Sequence, residues 1–179
     1  MKAILDQEAM RIATIADTTR TRPVLGCVKI GNGEIIAVDG FMLARKSIET
    51  EGEGEVLVKA ADILKAKKAG GRELEKILIN ADEKTITDKD GKVDASFEPL
   101  QADYPDLEQT YSTSERKAFV TLNSSLLAKL LKIVGMNTAI KLRIRGTTEP
   151  VEFVAGNVSG LIMPMYIQEE DERWHKEKK

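Results

Sequence analysis

One order of elements occurs three times along this chain: a short strand, a helix, then three strands. It is clearest near the C-terminus, where AFVTLN (118–123) alternates like a strand and Ser124 to Val134 has helical spacing. Ile140 to Arg145, Pro150 to Val154 and Gly160 to Met165 are again strand-like. The middle copy runs through Glu55 to Val58, a helix over Ala60 to Ala69 stopped at Gly70-Gly71, and strands at Lys76 to Asn80, Lys84 to Thr87 and Lys92 to Glu98. The first copy has a strand at Met1 to Leu5, a helix at Gln7 to Ala16, and strands at Val24 to Ile30, Glu34 to Val38 and Met42 to Ile48. A single βαβββ unit buries one sheet face under one helix and needs a neighbour to complete its core, so the repeat dictates how the chain must associate with itself. The expected class is α+β, with helices on one face of antiparallel sheets.

Local chemistry supports these boundaries. Asn123 or Ser124 can cap the third helix through a side-chain oxygen, and Gly135 stops it. Leu126, Leu127, Leu130, Leu131 and Val134 share one helical face, with Ser125, Lys129 and Lys132 opposite. Gly31-Asn32-Gly33 between two apolar runs is hairpin chemistry, because these residues tolerate positive φ. The chain thus divides into a complete two-unit domain at 1–102 (units 1–50 and 55–102) and a linker at 103–116 containing Tyr104-Pro105-Asp106. A third unit at 117–167 and a charged tail at 168–179 complete it. Uncovered strand edges invite pairing with another unit or chain, and a head-to-tail interface closes into a ring when its rotation divides a full circle.

Composition narrows the class further. The 179 residues carry 27 Lys and Arg against 29 Asp and Glu, a net charge of −2, with 42% hydrophobic and 31% charged residues, as in ordinary soluble globular proteins. The single cysteine, Cys27, excludes an intramolecular disulfide framework and a multi-cysteine zinc site, and suits a reducing cytoplasmic compartment. There is no run of about 18 apolar residues, and Met1 to Ile15 lacks the pattern of a secretory signal.

The inventory argues against an enzyme, a metal or a cofactor. The single histidine, His175, lies in the charged tail beside Lys176 with no partner for acid–base or metal chemistry. Asp88-Lys89-Asp90-Gly91 reads as a turn, lacking the ligand set of a calcium loop. Ser124-Ser125 is capping sequence, and Cys27 belongs to a strand core. An aromatic content of 4% argues against a single-strand binder built on stacking.

Charge is distributed unevenly. Lys59 to Lys76 holds Lys59, Lys65, Lys67, Lys68, Arg72 and Lys76 against three acids, a net of +3 in an acidic chain. Lys65 and Lys68 share a polar helix face, as do Lys129 and Lys132, and helix three has no acid from Ser124 to Val134. In the first repeat the helix has only Arg11, so basic charge there falls to Arg20 and Arg22 in the following loop. Such faces attract phosphates without reading sequence.

Two motifs carry a family resemblance: Arg22-Pro23-Val24-Leu25 running to Ala37-Val38-Asp39-Gly40-Phe41-Met42-Leu43-Ala44, and Gly160-Leu161-Ile162-Met163-Pro164-Met165. With Tyr104-Pro105-Asp106 between them, the order resembles the bacterial DNA polymerase sliding clamp, over nearly the whole chain to about Met165. That resemblance implies a DNA-clamp fold encircling duplex DNA, helices inward, with Arg20, Arg22, Lys65, Lys67, Lys68, Arg72, Lys129 and Lys132 facing DNA. It also implies a pocket for short linear peptides of DNA polymerase and clamp-loader-type proteins. The matching positions are Val38, Gly40, Phe41, Met42 and Leu43 on one side, and Leu161, Ile162, Met163, Pro164 and Met165 on the other. The chain departs from the family in having three units where the bacterial protein has six, so four chains are expected to close a twelve-unit ring, a homotetramer. It departs also in Phe41-Met42 after Asp-Gly and in its longer tail, where Trp174 is a candidate plug for the pocket. The competing reading is a clamp-like interaction module or inhibitor that pairs with another clamp without enclosing DNA.

Overall fold

The computed structural model describes residues 1–16, 22–39, 41–107, 119–135 and 137–165. Contacts divide the chain into two compact units, Met1–Thr110 and Tyr111–Lys179.

In the first unit the two repeats exchange their first strands. Strand β1 (Lys2–Asp6) leads into helix α1 (Gln7–Ile12), a 3₁₀ turn (Pro23–Gly26), then β2 (Cys27–Gly31), β3 (Glu34–Val38), β4 (Leu43–Ser47) and β5 (Glu49–Glu51). The second repeat is β6 (Glu55–Lys59), α2 (Ala60–Gly70), β7 (Lys76–Asn80), β8 (Thr85–Thr87) and β9 (Asp94–Ser96). Two antiparallel sheets result, ordered β5-β1-β7-β8-β9 and β4-β3-β2-β6. Thus β1 of the first repeat lies in the second repeat's sheet, with Ala3 opposite Ile79 and Leu5 opposite Ile77. Reciprocally, β6 adds to the first repeat's sheet, with Val56 opposite Ile30 and Val58 opposite Val28. The inward members of these pairs join Met10, Ile35, Ile63 and Ile86 in one core. Each sheet is completed only by the other repeat, which is why neither forms a separate core.

Several boundaries differ from the sequence expectation. Helix α1 ends at Ile12, where Thr14 turns its hydroxyl back to donate to the Arg11 carbonyl at 2.7 Å and β-branched Thr14 and Ile15 follow. Pro23–Gly26 is a 3₁₀ turn rather than the start of a strand, with Pro23 in its first turn. Glu49–Glu51 pairs with β1 despite its acidic composition. Gly31 (φ +154°) is required by packing as well as by the hairpin: a Cβ there would stand 2.5 Å from the Gly54 carbonyl oxygen.

The second unit holds one repeat: α3 (Ser124–Val134), β10 (Lys141–Arg143), β11 (Val151–Ala155) and β12 (Val158–Ile162), in a sheet ordered β10-β11-β12. Asn123 caps α3 by accepting from the Ser125 amide at 2.8 Å, and Gly135 (φ +79°) ends it. The expected first strand does not form a ladder: residues 119–123 carry no strand assignment, and neither do 163–165. The reason lies in the first unit, where the first strand of each repeat is paired by the other repeat's sheet.

Candidate DNA-facing and partner-binding surfaces

Helix α2 buries Ala60, Ile63, Ala66 and Gly70, so its opposite face reaches solvent. Lys65, Lys68 and Arg72 are exposed and Lys67 is half-buried. Lys67, Lys68 and Arg72 converge on a cleft of about 520 Å³ whose other walls are Gln7, Leu64, Gly71 and Leu74. Gln7 donates to the Leu74 carbonyl at 3.1 Å, tying the start of α1 to this wall.

Helix α3 repeats the arrangement. Lys129 and Lys132 are exposed, and they are its sixth and ninth residues, as Lys65 and Lys68 are of α2. Among the described residues none of Lys65, Lys67, Lys68, Arg72, Lys129 and Lys132 joins an ion pair. Some basic side chains elsewhere are neutralised locally. Lys46 bonds Glu8 at 3.0 Å and Asp6 at 3.3 Å, which holds its ammonium above the usual lysine range. Arg143 and Arg145 share Glu152 at 3.5 and 2.6 Å. Arg22 is exposed beside the 3₁₀ turn, while Arg20 lies outside the described residues.

The other surface centres on the β3–β4 turn. Val38 pairs with Leu43, and Asp39 accepts from the Phe41 amide at 2.8 Å and the Met42 amide at 2.7 Å. This Asx-type turn leaves Phe41 fully exposed and Met42 54% exposed. Gly40 lies outside the described residues, as do Trp174 and His175. In the second unit Leu161, Met163 and Met165 are exposed, but Ile162 is 5% exposed and packs opposite Val151. Ile162 therefore serves the core rather than a binding surface, which the alternation of the strand places on the opposite face from Leu161 and Met163. Pro164 is half-buried.

The remaining candidate chemistry is structural. Cys27 is buried in β2, and burial pushes its thiol pKa up, away from the reactive thiolate. Asp88 closes the β8–β9 turn by accepting from the Val93 amide at 2.8 Å. No cluster of three or more metal-ligating side chains occurs among the described residues, and none of their helices is long and apolar enough to cross a membrane.

Paired antiparallel sheets under helices are the architecture of the DNA-clamp fold. The fold is that of the bacterial DNA polymerase sliding clamp. The chain superposes on the Bacillus subtilis clamp with a TM-score of 0.70 at 15% identity, covering 92% of this chain and 49% of that one. The Streptococcus pneumoniae DNA polymerase III beta chain gives 0.64 at 19% identity, over 92% and 49%. A Caulobacter crescentus beta clamp, crystallised with polyethylene glycol at a region assigned to beta-motif tethering, gives 0.65 at 17%, over 91% and 50%. The chain spans about half the length of these clamps. No family profile and no curated protein sequence matches it.

Proposed function

We propose that this chain is a non-enzymatic DNA sliding clamp, a processivity factor for DNA replication. In this reading, copies of the chain, four to a ring, surround duplex DNA with α2 and α3 inward. The observation that carries it is the recurrence of unpaired lysines at the sixth and ninth positions of two successive repeat helices. A lattice of lysines without carboxylate partners suits phosphates of any sequence and releases their counterions. The Asp39 turn with Phe41, Met42, Val38 and Leu43, and the segment Leu161, Met163, Pro164 and Met165, supply surfaces for linear peptides of a polymerase or loader. Methionines adapt to more than one such peptide.

Retention on closed circular duplex after a high-salt wash, with loss on linearisation, is the expected result. Equal loss from both forms would overturn enclosure. Binding to a full-length clamp in the absence of DNA would instead favour the interaction-module reading.

A further inference from the structure

We propose that two copies of this chain complete one clamp-type domain by exchanging residues 119–123. Each segment would add to the outer edge of the other copy's β10. The proposal rests on the fold and on this chain's own first unit, and holds whether or not the chain binds DNA.

The first unit is the template. In every repeat the residue three places before the helix is clasped from its outer side by the end of the same repeat. Glu49 lies opposite Ile4, the Leu100 amide donates to the Leu57 carbonyl at 3.0 Å, and the Met165 amide donates to the Thr121 carbonyl at 2.8 Å. The inner side of that segment is then paired by the other repeat, β1 by β7 and β6 by β2. The second unit has the outer clasp and not the inner partner: among the described residues, β10 pairs only with β11.

Burial records the vacancy. On β7 and β2 the inward residues Ile77, Ile79, Val28 and Ile30 are all 0% exposed, whereas on and just beyond β10 Leu142 is 43% and Ile144 40% exposed. Val120 and Leu122, which take the places of Ala3 and Leu5, are only half-buried. On α3, Leu131 and Ile133 are exposed at 57% and 65%. Obligate interfaces resemble a domain core cut in half, and this unit presents that cut.

Charge selects the partner strand. The outward residues of the β10 region are Lys141, Arg143 and Arg145, so pairing two β10 edges directly would set basic residues against basic ones. By the parity of β1, the outward positions of residues 119–123 are Phe119, Thr121 and Asn123, none of them charged. Exchange therefore places Val120 beside the other copy's Ile144 and Leu122 beside its Leu142. The resulting strand order, clasp, first segment, β10, β11, β12, reproduces β5-β1-β7-β8-β9 of the first unit.

Two full-length variants, Val120→Cys and Ile144→Cys, test this in the absence of DNA. Mixed and oxidised, they are expected to give a disulfide-linked pair containing one chain of each, absent when either is oxidised alone. Light scattering on Leu142→Asp should show the assembly mass reduced by at least half, while the thermal transition of the first unit is retained. A Val120→Cys/Ile144→Cys double variant that cross-links within one chain would overturn the exchange, as would unmodified protein that remains a single chain at the highest soluble concentration.

Discussion

The amide of Met165 donates to the carbonyl of Thr121 at 2.8 Å, and this one bond places the third repeat in register with the first two. Thr121 occupies the position of Ile4 and Leu57, three residues ahead of its helix, and in each repeat the closing segment meets that position from outside. The bond persists in the third repeat because it needs only residues of that repeat. Pairing on the inner side depends on a second one.

Charge reversal at Lys65 and Lys68, or at Lys129 and Lys132, should shorten retention on circular DNA. Each removed phosphate contact should lower the slope of log affinity against log salt by about 0.9. Because these side chains are exposed and unpaired, melting temperature should stay within the range of ordinary surface substitutions. A salt slope identical to that of the parent protein would remove them from the DNA face.

Phe41→Ala should abolish or sharply weaken binding of a polymerase-derived clamp-binding peptide, measured by calorimetry, with no loss of stability. Phe41 is fully exposed, so truncation leaves no internal cavity. Unchanged peptide affinity would detach the turn from partner recognition.

Two substitutions test the core of the first unit. Ile63→Ala removes a fully buried side chain between α2 and the sheets, and should cost about 2–5 kcal/mol in denaturant unfolding. Gly31→Ala should also destabilise, because its Cβ would meet the Gly54 carbonyl oxygen at 2.5 Å and the residue has φ +154°. Wild-type stability for Gly31→Ala would show that the hairpin relaxes freely.

The pH dependence has a different cause at each end. The Ala9 amide, and then Lys46, hold the Asp6 carboxyl below its ordinary 3.8, so its contribution is present above that value and lost as pH falls through the lower folded one. Burial raises the Cys27 thiol from 9.0 and pushes Tyr104 up to about 12 from 10.0. Both favour the protonated form in the folded chain, so their stabilisation is complete below the ordinary values and is lost as pH rises through the folded ones. Tyrosinate absorbance should show one phenol titrating about two pH units late in the native protein. A single transition near 10 for all tyrosines would contradict the burial.

What the sequence conveys depends on the range of the interaction. Helix α3 runs from Ser124 to Val134 as periodicity predicts, since Asn123 and Gly135 mark its ends locally. The basic faces of α2 and α3 were legible for the same reason, as residue spacing alone determines a helix face. Strand exchange was not: nothing in Lys2–Asp6 announces a partner at Lys76–Asn80. Val120 and Leu122 alternate like any half-buried strand, yet a ladder requires a second edge that local pattern does not encode. Ile162 illustrates the converse, a motif residue whose parity on β12 turns it into the core.

The placement of β1 also has a consequence during synthesis. Leu5 pairs with Ile77, so at roughly 5–20 residues per second the ribosome delivers the N-terminal strand several seconds before its partner. Through that interval the nascent first repeat leaves Ala3 and Leu5 uncovered, and chaperones that recognise short apolar segments have their opportunity there.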